Sequence, residues 1–181
     1  MKRCSLAAMV FVFLALFAAS SSYAQMGAPT PAPELKKLDF LAGDWTTEGT
    51  FVPGPPGTPP SKFTAKSHAE WMDGNFFLVE HGESTLEGMG DSKELVVMGY
   101  DSDQKVYTYR NFSSMGQSEL STGKVDGDTW TWTGDEHFNG MAFKGRVTMK
   151  ITSPTSYTIK FELSQDGTNW FPAMEGKATK K

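Results

Sequence analysis

The sequence predicts an all-β protein: an antiparallel meander of about ten strands closed into a small barrel behind one short helix. Three observations carry that prediction. From Trp45 onward apolar residues alternate with polar ones at period two, the signature of strands with one buried face. Turn chemistry recurs between the runs, at Asp73-Gly74, Asp101 to Gln104, Asp126-Gly127 and Ser153-Pro154. The chain is also rich in aromatics, 13% against 39% hydrophobic residues in all, so a few large rings must supply much of the core. A long meander leaves two unpaired edges unless it closes on itself, which is why a barrel is expected.

The first element is an export signal. Lys2 and Arg3 give a positive start, Leu6 to Ala19 an uninterrupted apolar run, and Ser22-Tyr23-Ala24 a small-residue cleavage site. Fourteen apolar residues are too few to span a bilayer core of about 30 Å, so no membrane span is expected. Residues 1–24 are therefore expected to be removed as a signal peptide after Ala24, leaving 157 residues with a periplasmic or secreted destination. Cys4 would leave with it, so the mature chain has no thiol nucleophile, disulfide or thiolate ligand. Losing Lys2 and Arg3 moves the net charge from −4 to −6. That balance argues against nucleic acid as a partner and against a polybasic membrane patch.

Residues 25–33 form a Pro- and Ala-containing linker, and 34–181 a single domain, consistent with this length. Glu34 to Leu41 carries leucines at 35, 38 and 41, which predicts one or two turns of helix entered at Pro33 and stopped by Gly43. Trp45, Thr47, Gly49 and Phe51 share a face of the first strand; Phe63, Ala65, Ser67, Ala69 and Trp71 share a face of the second. Strands follow at 75–85, 94–100, 105–112 and 118–125. The last four are placed at 129–133, 142–152, 155–163 and 168–176. The tight turns are alternate connections, so a meander gathers them at one end. The long connections 53–61, 87–93 and 134–141 gather at the other, giving a trimmed base and an elaborated mouth.

Helix, then Leu41-Ala42-Gly43-Asp44-Trp45, then a meander, resembles the Gly-x-Trp opening of the calycin superfamily. The resemblance implies that Gly43 and Trp45 form a structural base plug. A closer resemblance is to a bacterial exported family known as domain of unknown function 1579. It is carried by Pro33-Glu34-Leu35, Leu41 to Trp45, Gly99-Tyr100-Asp101, Phe112 to Gly116, Asp126-Gly127 and Asp166 to Trp170. This family implies a lipocalin-like barrel and no established activity. Calycins stack an Arg of the last strand on the opening Trp; here that strand offers Lys177, a poorer stacking partner. The haem-binding nitrobindins resemble the layout but use a His near the C-terminus, and no His follows His137, so no haem or other cofactor is expected.

Candidate chemistry is sparse. His81 and Glu83 share one strand face, with Glu80 on the other; as an acid/base pair they would serve a cavity enzyme of isomerase or hydrolase type. No second His stands at ligand spacing, so no metal is expected. His137 is placed in a mouth loop and His68 on an exposed face. Arg110 shares a face with Val106, Thr108 and Phe112, while Tyr107, Tyr109 and Asn111 share the other. Either the guanidinium is internal and must be paired, or the tyrosines are. Met89, Met115 and Met141 fall in predicted loops, where pliable thioethers suit adaptable binding.

No nucleophile elbow, phosphate loop or dinucleotide fingerprint is present. The leading expectation is uptake of a small apolar or amphipathic molecule by the barrel. Its expected ligand-binding residues are Phe51, Phe63, Trp71, Tyr107, Tyr109, Arg110, Trp132, Phe143 and Phe161. The alternatives are the cavity enzyme using His81, Glu83 or Arg110, and a filled structural barrel.

Overall fold

The structure is a computed structural model that describes residues 29–181 apart from Pro53, Pro55, Pro56 and Asn139. The expected signal peptide with its cleavage site, most of the linker, and three prolines of the 53–60 segment lie outside the described residues. Ten strands close into one antiparallel barrel in chain order: β1 (Gly43–Phe51), β2 (Ser61–Trp71), β3 (Leu78–Leu86), β4 (Gly90–Asp101), β5 (Val106–Ser113), β6 (Ser118–Asp126), β7 (Thr129–Phe138), β8 (Met141–Ser153), β9 (Ser156–Ser164) and β10 (Phe171–Lys180). β1 pairs with both β2 and β10, so among the described residues no strand edge is left open.

The helix before β1 is a 3-10 helix over Pro33–Phe40. Its leucine spacing explains the type: residues three apart eclipse on a three-residue turn, so Leu35 and Leu38 bury together, with Leu41 at the end. The helix caps the end of the barrel where β1 begins and β2 stops. Tyr107 donates its hydroxyl to the Glu34 carbonyl at 2.9 Å, Trp71 its indole N–H to Asp39 at 2.9 Å, and Lys180 its ammonium to the Phe40 carbonyl at 3.2 Å. Trp45 sits among these, 3% exposed, with its N–H on the Leu41 carbonyl at 2.8 Å. The aromatic shell around it includes Phe40 and Tyr157, with ring centroids 5.3 and 4.9 Å away.

Several expectations need correction. The cation over Trp45 is Lys180, 5.3 Å from the ring, because β10 runs on to residue 180 and sets Lys180 directly opposite Trp45; Lys177 is exposed. Two of the three long connections are strand. β7 continues through Gly134 to Phe138 and pairs with β8 from Met141, while β4 starts at Gly90 after a three-residue turn. Gly134 does not break the strand because it faces another glycine, Gly145, and the ladder continues through both. The mouth is therefore less elaborate than expected: the 52–60 and 165–170 segments are its longest connections.

Candidate functional site

Alternation sorts every strand into an inner and an outer face. On β5 the inner set is Tyr107, Tyr109 and Asn111; Arg110 is exposed on the outside and cannot line the lumen. His81 and Glu83 are likewise exposed outside, as is His137 on β7. The proposed trio of a cavity enzyme is thus separated from the cavity by the sheet itself, because odd-numbered β3 residues point away from buried Leu78. His68, His81 and Glu83 border instead an open surface groove of about 420 Å³ on the outside of β1–β4. There His68 pairs with Asp44 at 2.8 Å and Glu83 with Lys93 at 3.2 Å. No group of three or more His, Cys, Asp or Glu side chains is arranged to hold a metal among the described residues.

The inner face is layered. At the capped end Tyr107, Trp130 and Trp132 are nearly fully buried: Trp130 and Trp132 stack at 5.7 Å, Tyr107 meets Trp130 at 4.8 Å, and Tyr109 meets Trp132 at 5.5 Å. This aromatic floor is solid. Trp71 belongs to it as well, since β2 descends from the mouth at Ser61 to the cap at Trp71. From the mouth inward, Phe51 and Phe63 come first along β1 and β2 and Trp71 comes last. Above the floor the pattern changes. Tyr109, Asn111, Glu94, Glu119, Glu136, Phe143 and Phe161 all occupy inward positions yet keep intermediate accessibility, so solvent reaches a lumen between them.

That lumen is two-sided. One wall carries four carboxylates, Glu80 on β3, Glu94 on β4, Glu119 on β6 and Glu136 on β7, with β5 between the two pairs. The other is built from Phe51, Phe63, Phe143, Phe161 and Met174. The two meet at Gly145, where the Glu136 side chain and the Phe161 ring both lie within 3.2 Å of where a β-carbon would stand. Phe143 also meets Phe171 edge-on at 6.2 Å.

Burial raises the pKa of all four carboxyls above the ordinary range. A hydrogen bond from Ser67 opposes this at Glu80, and one from Ser121, at 2.5 Å, opposes it at Glu119. Glu94 charge raises Glu80 further, and Glu119 charge raises Glu94. Glu136 is pushed up to about 7 by burial first, then by Glu119 and its strand neighbour Asp135. Tyr109 lies among them: burial holds its phenol well above its usual value, and Glu119, Glu80 and Glu94 add to the effect. Burial and Glu80 likewise raise Tyr157. The four carboxyls and Tyr109 hold inward positions on the same side of the barrel, β3 to β7. Only Glu80 had been singled out from the sequence, and only as the residue facing away from His81.

The Glu136 shift has a testable consequence. A carboxyl whose folded pKa is raised from 4.5 to about 7 favours the fold fully below pH 4.5, and that contribution is lost as pH rises through 7. Glu136→Gln should therefore stabilise the protein at pH 8, on the order of 1 kcal/mol once solvent screening of this half-buried group is allowed for, and by much less at pH 4.5. Thermal unfolding of both proteins across this range checks it; a stability difference independent of pH would count against a desolvated Glu136.

Comparison with known proteins agrees on the fold. The family described as "Protein of unknown function (DUF1579)" matches residues 30–180. The barrel is similar to the crystal structure of Rv2717c from M. tuberculosis, with TM-score 0.56 and 13% identity over 83% of this chain and 99% of that one. It is also similar to the S-type phycobiliprotein lyase CPES from Guillardia theta, with TM-score 0.54 and 11% identity over 81% of this chain and 91% of that one. At such identities the likeness is one of fold. No curated protein sequence matches the chain.

Proposed function

The chain belongs to the DUF1579 family, and for it we propose a binding role: an exported protein that takes up a small amphipathic molecule in the lumen of its barrel. The observation that carries the reading is the change along the inner face, from a sealed aromatic floor to a solvent-reachable chamber with one carboxylate wall and one phenylalanine wall. A protein built only for stability gains nothing from four inward carboxyls, since each loses hydration on burial. Function commonly explains such a cost. The apolar part of the ligand rests on Phe143 and Phe161, its deep end approaches Tyr109 and Trp132, and its polar part meets the carboxylate wall. The export half of the proposal rests on the positive start, apolar run and small-residue site of residues 1–24.

Tryptophan fluorescence provides the test. Trp132 lies beneath the chamber in contact with Tyr109, so a ligand reaching the floor should change its emission saturably. Among fatty acids, aromatic acids, porphyrins and alkyl amines, at least one class should give such a response, and Trp132→Phe should remove most of it while leaving the fold intact. A panel without any saturable member would contradict the binding role.

A further inference from the structure

Charge is distributed unevenly across the barrel wall. Among the described residues, Lys180 is the one cation at an inward strand position, and it lies at the floor, bonded to the Phe40 carbonyl. The other lysines and arginines of the strands point outward. Arg146, for example, pairs with Glu162 at 2.8 Å and stacks on Trp170 at 4.1 Å, both on the outer face. Glu80, Glu94, Glu119 and Glu136 therefore face a shared space that contains no compensating cation from the strands around it.

A second observation is independent of charge. Asn111 Oδ1, an inward atom on β5 directly across from Glu119, is fully buried and has no hydrogen-bond partner among the described residues. An amide oxygen cannot relieve its desolvation by taking up a proton, as a carboxylate can; it needs an N–H or O–H donor brought to it. Above the floor the strands thus supply hydroxyl donors such as Ser67, Ser121 and Tyr109 but no cationic one, with an apolar wall opposite.

We infer that the lumen takes an organic amine, its ammonium group set among Glu80, Glu94, Glu119 and Glu136 and within reach of Asn111 Oδ1, its apolar body against Phe143 and Phe161. The inference rests on the binding role proposed above and specifies the ligand class. Charge-assisted hydrogen bonds from N–H⁺ to desolvated carboxylates are stronger than those a neutral hydroxyl makes, and an anionic head meets only repulsion. Burial withdraws water from these carboxyls and raises their pKa values, and a cation that replaces that water is favoured.

Titration calorimetry with three probes of one chain length, decylamine, decan-1-ol and decanoate, each below its micelle concentration at pH 8, tests the assignment. Decylamine should bind at least about tenfold more tightly than decan-1-ol, and decanoate most weakly. Glu94→Gln/Glu119→Gln should bring the amine to within about threefold of the alcohol and leave alcohol binding unchanged. Glu136→Gln alone should narrow the preference by about threefold, which keeps the test decisive if the double variant folds poorly. If the alcohol or the acid binds as tightly as the amine, the amine assignment is overturned while the binding role stands. A preference that survives the glutamine variants overturns it too. If no probe binds, the amine assignment fails, and the fluorescence panel decides separately whether the binding role stands.

Discussion

Replacing Trp45 by alanine should destabilise the barrel by roughly 3–5 kcal/mol, the range for truncating a buried large aromatic. The size follows from what the ring holds together. Its N–H satisfies the Leu41 carbonyl at the junction of helix and β1, so truncation leaves a buried acceptor unpaired as well as a cavity. Its faces meet Phe40 from the helix, Tyr157 from β9 and the Lys180 ammonium from β10, so the cap loses contact with β9 and β10 at once. Urea unfolding followed by circular dichroism reads the change in midpoint. A cost near zero would mean that Trp45 does not plug the base.

Gly49→Ala should be almost as damaging although it adds a single methyl group. A β-carbon at Gly49 would stand 2.0 Å from the Glu175 carbonyl oxygen and 2.6 Å from the Gly176 α-carbon, distances that no side-chain rotation relieves. Gly49 and Gly176 face each other where β1 closes on β10, and the Phe63 ring from β2 lies across both. The paired glycines leave room for that ring against the wall. Adding the methyl group pushes the closing strands apart, so the cost should reach about 3 kcal/mol, the upper end of ordinary overpacking. The same change at exposed Gly88, whose left-handed φ of 84° leaves open space around a β-carbon, provides a comparison limited to backbone strain. Equal effects at the two glycines would show that closure of β1 on β10 is not specially sensitive.

The barrel was legible because alternation is a property of the backbone that side chains merely report. Trp45 to Phe51 and Phe63 to Trp71 mark one face without ambiguity, and three tight turns fixed much of the connectivity, whereas Asp73-Gly74 lies inside a six-residue connection, 72–77, and β3 starts at Leu78 rather than at residue 75. The carboxylate wall was harder to see, for reasons that differ by strand. Glu80 has the same parity as Leu78 and Leu86, so its inward direction was readable from β3, but the nearby His81–Glu83 pair offered a more familiar chemistry. On β4 both parities are apolar, Val96 and Met98 inside against Leu95 and Val97 outside, and alternation alone could not place Glu94. Glu119 shares its parity with Ser121 and Gly123, small residues that announce no face.

Glu136 was hidden by a boundary. It follows Trp130 and Trp132 in phase, but taking Gly134 as the end of β7 removed it from the strand. Tyr109 and Asn111 against Arg110 was an even contest of composition. It is decided by packing across strands, Tyr109 opposite Met98 and Ser121, which no local pattern contains.

Outward apolar residues were equally unreadable. Leu95, Phe112 and Leu120 are exposed on the outer face of β4–β6, with Leu95 directly across from Phe112. Their hydrophobicity resembles that of the core, and only closure of the barrel shows which side they occupy.

The central claim is that the chamber above the aromatic floor holds a small molecule. Native mass spectrometry of the protein purified from its own cells tests this most directly. The account predicts a one-to-one adduct that is released on gentle activation, and a stripped protein that regains it when the small molecule is returned. A bare polypeptide mass from the native source, with no adduct recovered on incubation with an extract of small molecules from the same cells, would contradict it.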